Sequence, residues 1–424
     1  MKAQQVGLVG ALFIGASLVA DAADWPQFRG PQRHGVSTET GLLKQWPTGG
    51  PTLNWQVNDI GDGYSTVAVV ADRLFTLANR GLDNEFVQAM SVQDGKVLWT
   101  TRLGNVGNPD QMPSYPKARS TPTVDGALLY ALSSDGDLAC LDTATGKVRW
   151  QKSLRKDFGG VPGTWAYAES PLVDGDLVVV TPGGVDATLL ALNKTTGAVV
   201  WKTSVPGGDP AGYASAVVLN EGGRKQYMQF TGKGIVGVDA KTGQFLWRHD
   251  EPSKGPANIP TPVPAGSHVY SAAGNVGGTL FRLADSGGSI KPEQVYLTRG
   301  LPNTNGGAVL IGEVLYGTTK DGVLVAADFK TGTIRWQSEG IGAGSIVAAD
   351  GHLYIHGENG DVALVEATPE AYREKGRFSP PNQPKHATQQ EKAWPYPVVA
   401  NGRLYVRDRG TLWSYDVAAP KTDR

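Results

Sequence analysis

Cysteine is almost missing: Cys140 is the only one in 424 residues. No intrachain disulfide can staple the fold, and no thiolate cluster can hold a metal. An excess of one charge is missing too, since 39 Lys and Arg face 40 Asp and Glu, for a formal net charge of −1. That balance gives no sign of a nucleic-acid binder's overall basic footprint and leaves room only for local basic patches. Histidine is scarce, six in all. His352 and His356 are the closest pair, but on the strand expected there they stand roughly 13 Å apart, too far to share one ion. No metal site is expected. The sequence contains no G-x-S-x-G elbow, P-loop or H-E-x-x-H. The glycines of Gly340-Ile-Gly342-Ala-Gly344 are followed by no helix pattern, so they read as a turn rather than a dinucleotide loop. Asn193-Lys-Thr195 matches a glycosylation sequon only by pattern and sits on a turn.

One long apolar run is present. Lys2 precedes the apolar stretch from Val6 to Val19, and Ala20-Asp21-Ala22 follows. This is the order of a secretory signal peptide, residues 1–22, with cleavage near Ala22. The run is too short for a comfortable membrane span, and no second one follows. The mature chain is therefore expected to be periplasmic or secreted, without a transmembrane segment.

What is abundant is turn chemistry: 56 glycines and 27 prolines. Residues 118–150 read as four short strands joined by tight turns. STPTV and LLYAL flank Asp125-Gly126, a dipeptide suited to a two-residue hairpin. DLACL and KVRW flank a turn at Thr145-Gly146. The spacing of Asp142, Thr145, Gly146 and Trp150 recurs as Asn193, Thr196, Gly197 and Trp201. It returns as Asp239, Thr242, Gly243 and Trp247, and as Asp328, Thr331, Gly332 and Trp336. A looser copy ends at Trp99. The acid should accept turn N–H groups, the Gly should supply a left-handed residue, and Trp150, Trp201, Trp247 and Trp336 should be largely buried between adjacent repeats. One such meander cannot bury both its faces, so the copies must stack.

These repeats resemble the pyrroloquinoline-quinone (PQQ)-type β-propeller repeat, over roughly residues 52–417. Quinoprotein alcohol dehydrogenases share it with BamB, a lipoprotein of the outer-membrane barrel-assembly machinery. The resemblance implies an all-β fold. Outer-strand ends fall at Trp55, Trp99, Trp150, Trp201, Trp247, about Tyr296, Trp336 and about Phe378. The last repeat, 394–417, supplies only three strands. The expectation is an eight-bladed propeller of four-stranded antiparallel blades spanning 52–418, closed by the N-terminal strand LNWQV. Residues 23–51 form an arm packed on it, and 419–424 a C-terminal tail. Thr368-Pro369-Glu370 reads as the start of a short helix, and 379–393 as an exposed loop.

Propeller sites gather at the central channel. The starts of the innermost strands give Tyr64, Arg119, Glu169, Tyr213, Asn258 and Asn305, with Ser345 and Tyr396. Trp165 and Tyr167 lie on the connection before Glu169, which is long and glycine-rich enough to project. Such a set, polar, aromatic and nearly charge-balanced, is a candidate ligand or partner site at the channel mouth.

Two functions follow. The first is a monomeric, non-catalytic scaffold that binds an envelope protein and uses no cofactor. Ala23 stands where a lipoprotein needs cysteine, so no lipid anchor is expected. The second is a PQQ-dependent oxidoreductase, for which the resemblance implies Glu169 and Asn258 as calcium ligands. Carboxylate and amide oxygens suit calcium. However, Asn305 stands where the catalytic acid would be sought, and an amide is a poor base. The vicinal disulfide of many such dehydrogenases needs two cysteines. A glycoside hydrolase would need a second carboxylate beside Glu169. No catalytic residue is assigned, and the scaffold is favoured.

Overall fold

A computed structural model describes residues 23–420, apart from 112–114, 222, 254–256, 275, 288, 387 and 389. The leader assigned to 1–22 and most of the tail assigned to 419–424 lie outside them. Eight four-stranded antiparallel sheets form the blades. Blades 1 to 7 span residues 68–104, 123–153, 172–203, 217–249, 263–298, 308–338 and 344–378. Blade 8 takes three strands from 398–416, and Thr52–Val57 completes it from the other end of the chain. Gln56 lies opposite Trp413 and Val57 opposite Leu412. The expected ring and its closure are both present.

The repeat residues act as expected. Asp142 Oδ1 accepts the N–H groups of Ala144 and Thr145 at 3.1 and 3.0 Å, and the Thr145 hydroxyl at 3.0 Å. Asn193, Asp239 and Asp328 make the same three bonds. Gly146 follows at φ 71°. It serves the preceding blade: a Cβ there would lie 2.5 Å from the Trp99 ring. Trp150 lies likewise over Gly197, and Trp201 over Gly243. Each indole N–H then reaches the carbonyl just past the next blade's third strand: Trp99 to Thr143 (3.1 Å), Trp150 to Lys194 (3.0 Å), Trp201 to Ala240 (3.3 Å). Tyr296 stands in where blade 5 lacks the Trp, its hydroxyl donating to Phe329 O at 2.9 Å. Blade 5 also lacks the Thr-Gly turn. Trp247 therefore folds over Gly237 of its own blade and donates to Gln226 Oε1 at 2.7 Å. A one-residue register shift interrupts the outer strand in all eight blades, beside the Trp or Tyr296 in seven of them and beside Gly376 in blade 7. Such a bulge re-aims the ring out of the sheet's own alternation.

The N-terminal residues are bonded to the ring. Trp25 pairs with Val69 in both directions at 2.8 Å. Val124 donates to Pro26 O, Ser37 to Ala348 O, and the Ser37 hydroxyl to Val399 O. These partners belong to the innermost strands of blades 1, 2, 7 and 8, whose inward edges would otherwise be unpaired. Arg29 reaches Ala308 O at 2.5 Å on blade 6, and Arg33 reaches Ser170 O at 2.6 Å before blade 3. The segment thus crosses the channel at the mouth that carries the inner hairpins, where Asp24 caps Ala71 and Asp350 caps Leu42.

Four expectations are corrected. No helix follows Thr368. Its hydroxyl binds Glu370 in a tight turn instead, because the outer strand resumes at Glu374. The helix found among the described residues is Leu154–Phe158, capped by Ser153 and ended by Gly159 at φ 61°. It draws the connection after Trp150 down onto the blade, with Leu154 buried against Tyr167, so that segment does not project. The 379–393 stretch is not simply exposed: Glu391 and Ala393 are buried. Trp201, Trp247 and Trp336 are buried, but Trp150 is only half-buried. Cys140 is a core residue, and His352 and His356 pack within blade 7. Replacing Trp201 with Ala should cost ~3–5 kcal/mol in denaturant unfolding, the usual range for a large buried aromatic. Trp150→Ala should cost clearly less. Equal losses would show that burial does not set the strength of this contact.

Candidate ligand-binding site at the open mouth of the channel

The opposite mouth, at the starts of the innermost strands, remains open and forms a cavity of about 340 Å³. Its walls repeat with the blades. Tyr64, Arg119, Ala168, Ile259, Asn305 and Trp394 each stand seven residues before the first residue of their inner hairpin turn, and all line the cavity. Tyr213 joins them from blade 4, Trp165 from the connection before blade 3, and Phe28 from the N-terminal segment. The Tyr64 and Trp394 rings are 4.9 Å apart, Trp165 and Tyr213 5.7 Å, and Phe28 and Tyr396 5.2 Å edge to face.

Of the residues expected at the mouth, Tyr64, Arg119, Trp165, Tyr213 and Asn305 converge there, with Tyr396. Tyr167, Glu169, Asn258 and Ser345 do not. The reason is the two-residue alternation of extended chain. Ala168 faces the cavity, so Glu169 faces the space between blades 3 and 4. It accepts from the Thr181 hydroxyl (2.8 Å), the Thr181 N–H and the Gln229 amide (2.9 Å). Ala257 and Ile259 face the cavity, so Asn258 between them turns away and donates to Thr231 O and Ser253 Oγ, both at 2.8 Å. The Tyr167 hydroxyl donates to Pro182 O at 2.8 Å inside the fold. The sequence did not single out Phe28 and Trp394 for the mouth, although their aromatic character in proline-rich connections was visible.

Turning Glu169 away changes the electrostatics. Arg119 is the only charged side chain among the described residues lining the cavity. Its guanidinium lies 5.5 Å from the Tyr64 ring centre, and one nitrogen donates to the Tyr115 carbonyl. Burial lowers its pKa and raises that of Tyr64. Behind Tyr64, Lys117 bonds Glu391 at 2.8 Å and Arg409 bonds Asp62 at 2.8 Å. Cross-contacts of 3.4 Å (Lys117–Asp62) and 3.1 Å (Arg409–Glu391) close the quartet. Two cations meet two carboxylates there, so nothing is left over for Arg119.

Comparison with known proteins places this architecture. The family profile described as "Outer membrane protein assembly factor BamB" matches residues 83–338. The chain belongs to this family. The curated BamB of Moranella endobia is 23% identical over 202 residues, covering 44% of this chain and 49% of that protein. Matched relatives are thus spanned over about half their length or less. Among solved structures, BamB from Moraxella catarrhalis superposes with a TM-score of 0.61 at 17% identity, covering 88% of this chain and 99% of that one. Quinohemoprotein alcohol dehydrogenase ADHIIG from Pseudomonas putida HK5 gives 0.62 at 13% identity, covering 95% and 81%. At such identities the likeness shows the fold, which binding and catalytic members share.

The residues do not fit the calcium ion expected beside PQQ. Glu169 and Asn258, the expected ligands, point away from the cavity and are engaged between blades. Among the described residues no three acidic, histidine or cysteine side chains cluster to hold a metal ion.

Glu85 gives a separate test of the interior. It is fully buried and accepts the Ser134 N–H at 3.0 Å. Burial pushes its carboxyl up to about 8, from 4.5. Folding therefore takes up a proton between these values, and stability falls as pH rises through about 8. Compared with Glu85→Gln, the wild-type unfolding midpoint should decline between about pH 5 and pH 8. A constant difference across that range would place the ionised carboxylate in the fold.

Proposed function

We propose that this chain is an exported, non-catalytic propeller that holds a protein partner of the cell envelope on its open face. The observation that carries this reading is the asymmetry of the channel. One mouth is filled by the chain's own N-terminal segment, while the other presents a cavity walled by aromatic rings. Rigid blades beneath exposed connections suit recognition. Buried aromatics with an arginine are common interface anchors. The described lining offers no carboxylate or histidine to act as a general base. The names of its relatives accord with the reading, since BamB is described as an assembly factor. Residues 1–22 would direct export, and the mature chain would act as a monomer.

The test is site-specific photocrosslinking in cells from position 165, with a control at Asp176 on the opposite face. Crosslinks to one envelope protein are expected from 165. Trp165→Ala with Trp394→Ala should reduce its recovery by about tenfold, a loss typical of anchor residues, with the unfolding midpoint little changed. Capture from Asp176 instead, or alcohol-dependent dye reduction on adding PQQ and calcium, would overturn the reading.

A further inference from the structure

The arrangement of the cavity wall specifies a ligand chemistry, independently of whether a protein docks on the same face. Around the ring, Trp394 and Tyr64 precede blades 8 and 1, Arg119 precedes blade 2, and Trp165 and Tyr213 precede blades 3 and 4. One guanidinium therefore stands between two aromatic pairs. Among the described residues, no carboxylate lies within ion-pair distance of Arg119, and its Nε has no hydrogen-bond partner. Of the described carboxylates only the buried Glu85 acts on it, and that across a distance. A partly desolvated cation with no carboxylate in contact is costly and is retained where something outside the chain supplies the charge. The walls favour a flat ring, through offset or edge-to-face contacts. The single cation matches a single anion. The volume, about 340 Å³, lies at the small end of ligand pockets.

We infer that the open mouth binds an aromatic ring carrying one carboxylate, with the ring between the Tyr64–Trp394 and Trp165–Tyr213 pairs and the carboxylate on Arg119. Thr121 and Ser215 on the same wall can donate hydroxyl hydrogen bonds to the anion, whereas the Thr66 hydroxyl is spent on Tyr396 O. A tricarboxylate would bring two charges with no partner on this wall. Two sources offer the chemistry: a free aromatic acid, or the C-terminal aromatic residue of a polypeptide.

Isothermal titration of the full mature chain distinguishes them. The probes are indole-3-acetate, indole-3-acetamide, and a short peptide ending in Phe, with either a free or an amidated C-terminus. The carboxylate forms should bind about tenfold or more tighter than their amides, as expected for a charge-assisted bond to arginine. Arg119→Gln should remove that preference, and Arg119→Lys should keep part of it. The unfolding midpoint confirms that each variant is folded. If the peptide binds tenfold tighter than the free acid, the source is a chain terminus; equal or weaker binding by the peptide assigns a free acid. Acid and amide binding alike, no binding by either acid or peptide, or an unchanged preference in folded Arg119→Gln overturns the inference. Each of these outcomes leaves crosslinking of a protein at position 165 standing, so the two readings fail separately.

Discussion

The ring depends on one contact repeated between neighbours: an aromatic ring of one blade laid on a bare glycine of the next. The glycine is needed twice. Its left-handed conformation closes the Asp-x-x-Thr-Gly turn, and its missing Cβ makes room for the ring, as the 2.5 Å separation at Gly146 shows. Any other residue would meet both penalties together. The indole N–H then fixes the ring's direction on a carbonyl of the same turn, so the turn serves as both platform and acceptor. Because most interfaces repeat this contact, with Trp247 at blade 4 an exception, stability accumulates from nearest-neighbour terms, as in other repeat proteins. A closed ring has no weak terminal repeat, provided that Thr52–Val57 completes blade 8.

Inside that outer belt lies a second set of contacts, polar and fully buried. Glu85 of blade 1 holds Ser134 of blade 2, and Gln229 of blade 4 holds Glu169 before blade 3. Asn258, before blade 5, holds Thr231 O of blade 4. The Thr318 hydroxyl donates to Gly344 O across blades 6 and 7, at 3.0 Å. His356 meets Pro395 O across 7 and 8 at 2.9 Å. Arg407 of blade 8 reaches Ser65 O, Thr76 Oγ1 and Leu77 O in blade 1 at 2.6 to 2.9 Å. Apolar stacking tolerates sliding, whereas hydrogen bonds of this length do not. The outer rings supply most of the attraction and the inner polar groups fix the register.

That division explains what could be read in the sequence. The blades, their number and the closing strand were legible because turn chemistry and Trp spacing are local and repeat. Six of the ten expected mouth residues reached the cavity, because the starts of the innermost strands follow from the same period. Glu169 and Asn258 failed by a single step of the strand alternation. A buried interblade polar group and a channel-facing one look alike in sequence, and a one-residue error exchanges them. Tyr167 failed for another reason: the helix Leu154–Phe158 folds its connection inward, and a five-residue helix leaves little periodic signal.

The N-terminal segment turns the open ring into a blind pocket. A through-channel lined by eight strand starts would be wet and would hold a ligand weakly. With Phe28 against Tyr396, the floor becomes apolar, and water is displaced from one end. The low polarity produced there raises the cost of leaving Arg119 unpaired and sharpens its preference for an anion. Arg33 lies further along the same segment. Burial lowers its pKa to about 9, with the Glu169 charge opposing that shift. The segment that seals the pocket is thus tied electrostatically to an interblade group, so the geometry of the open mouth and the packing of the blades are set by the same fourteen residues, 24–37.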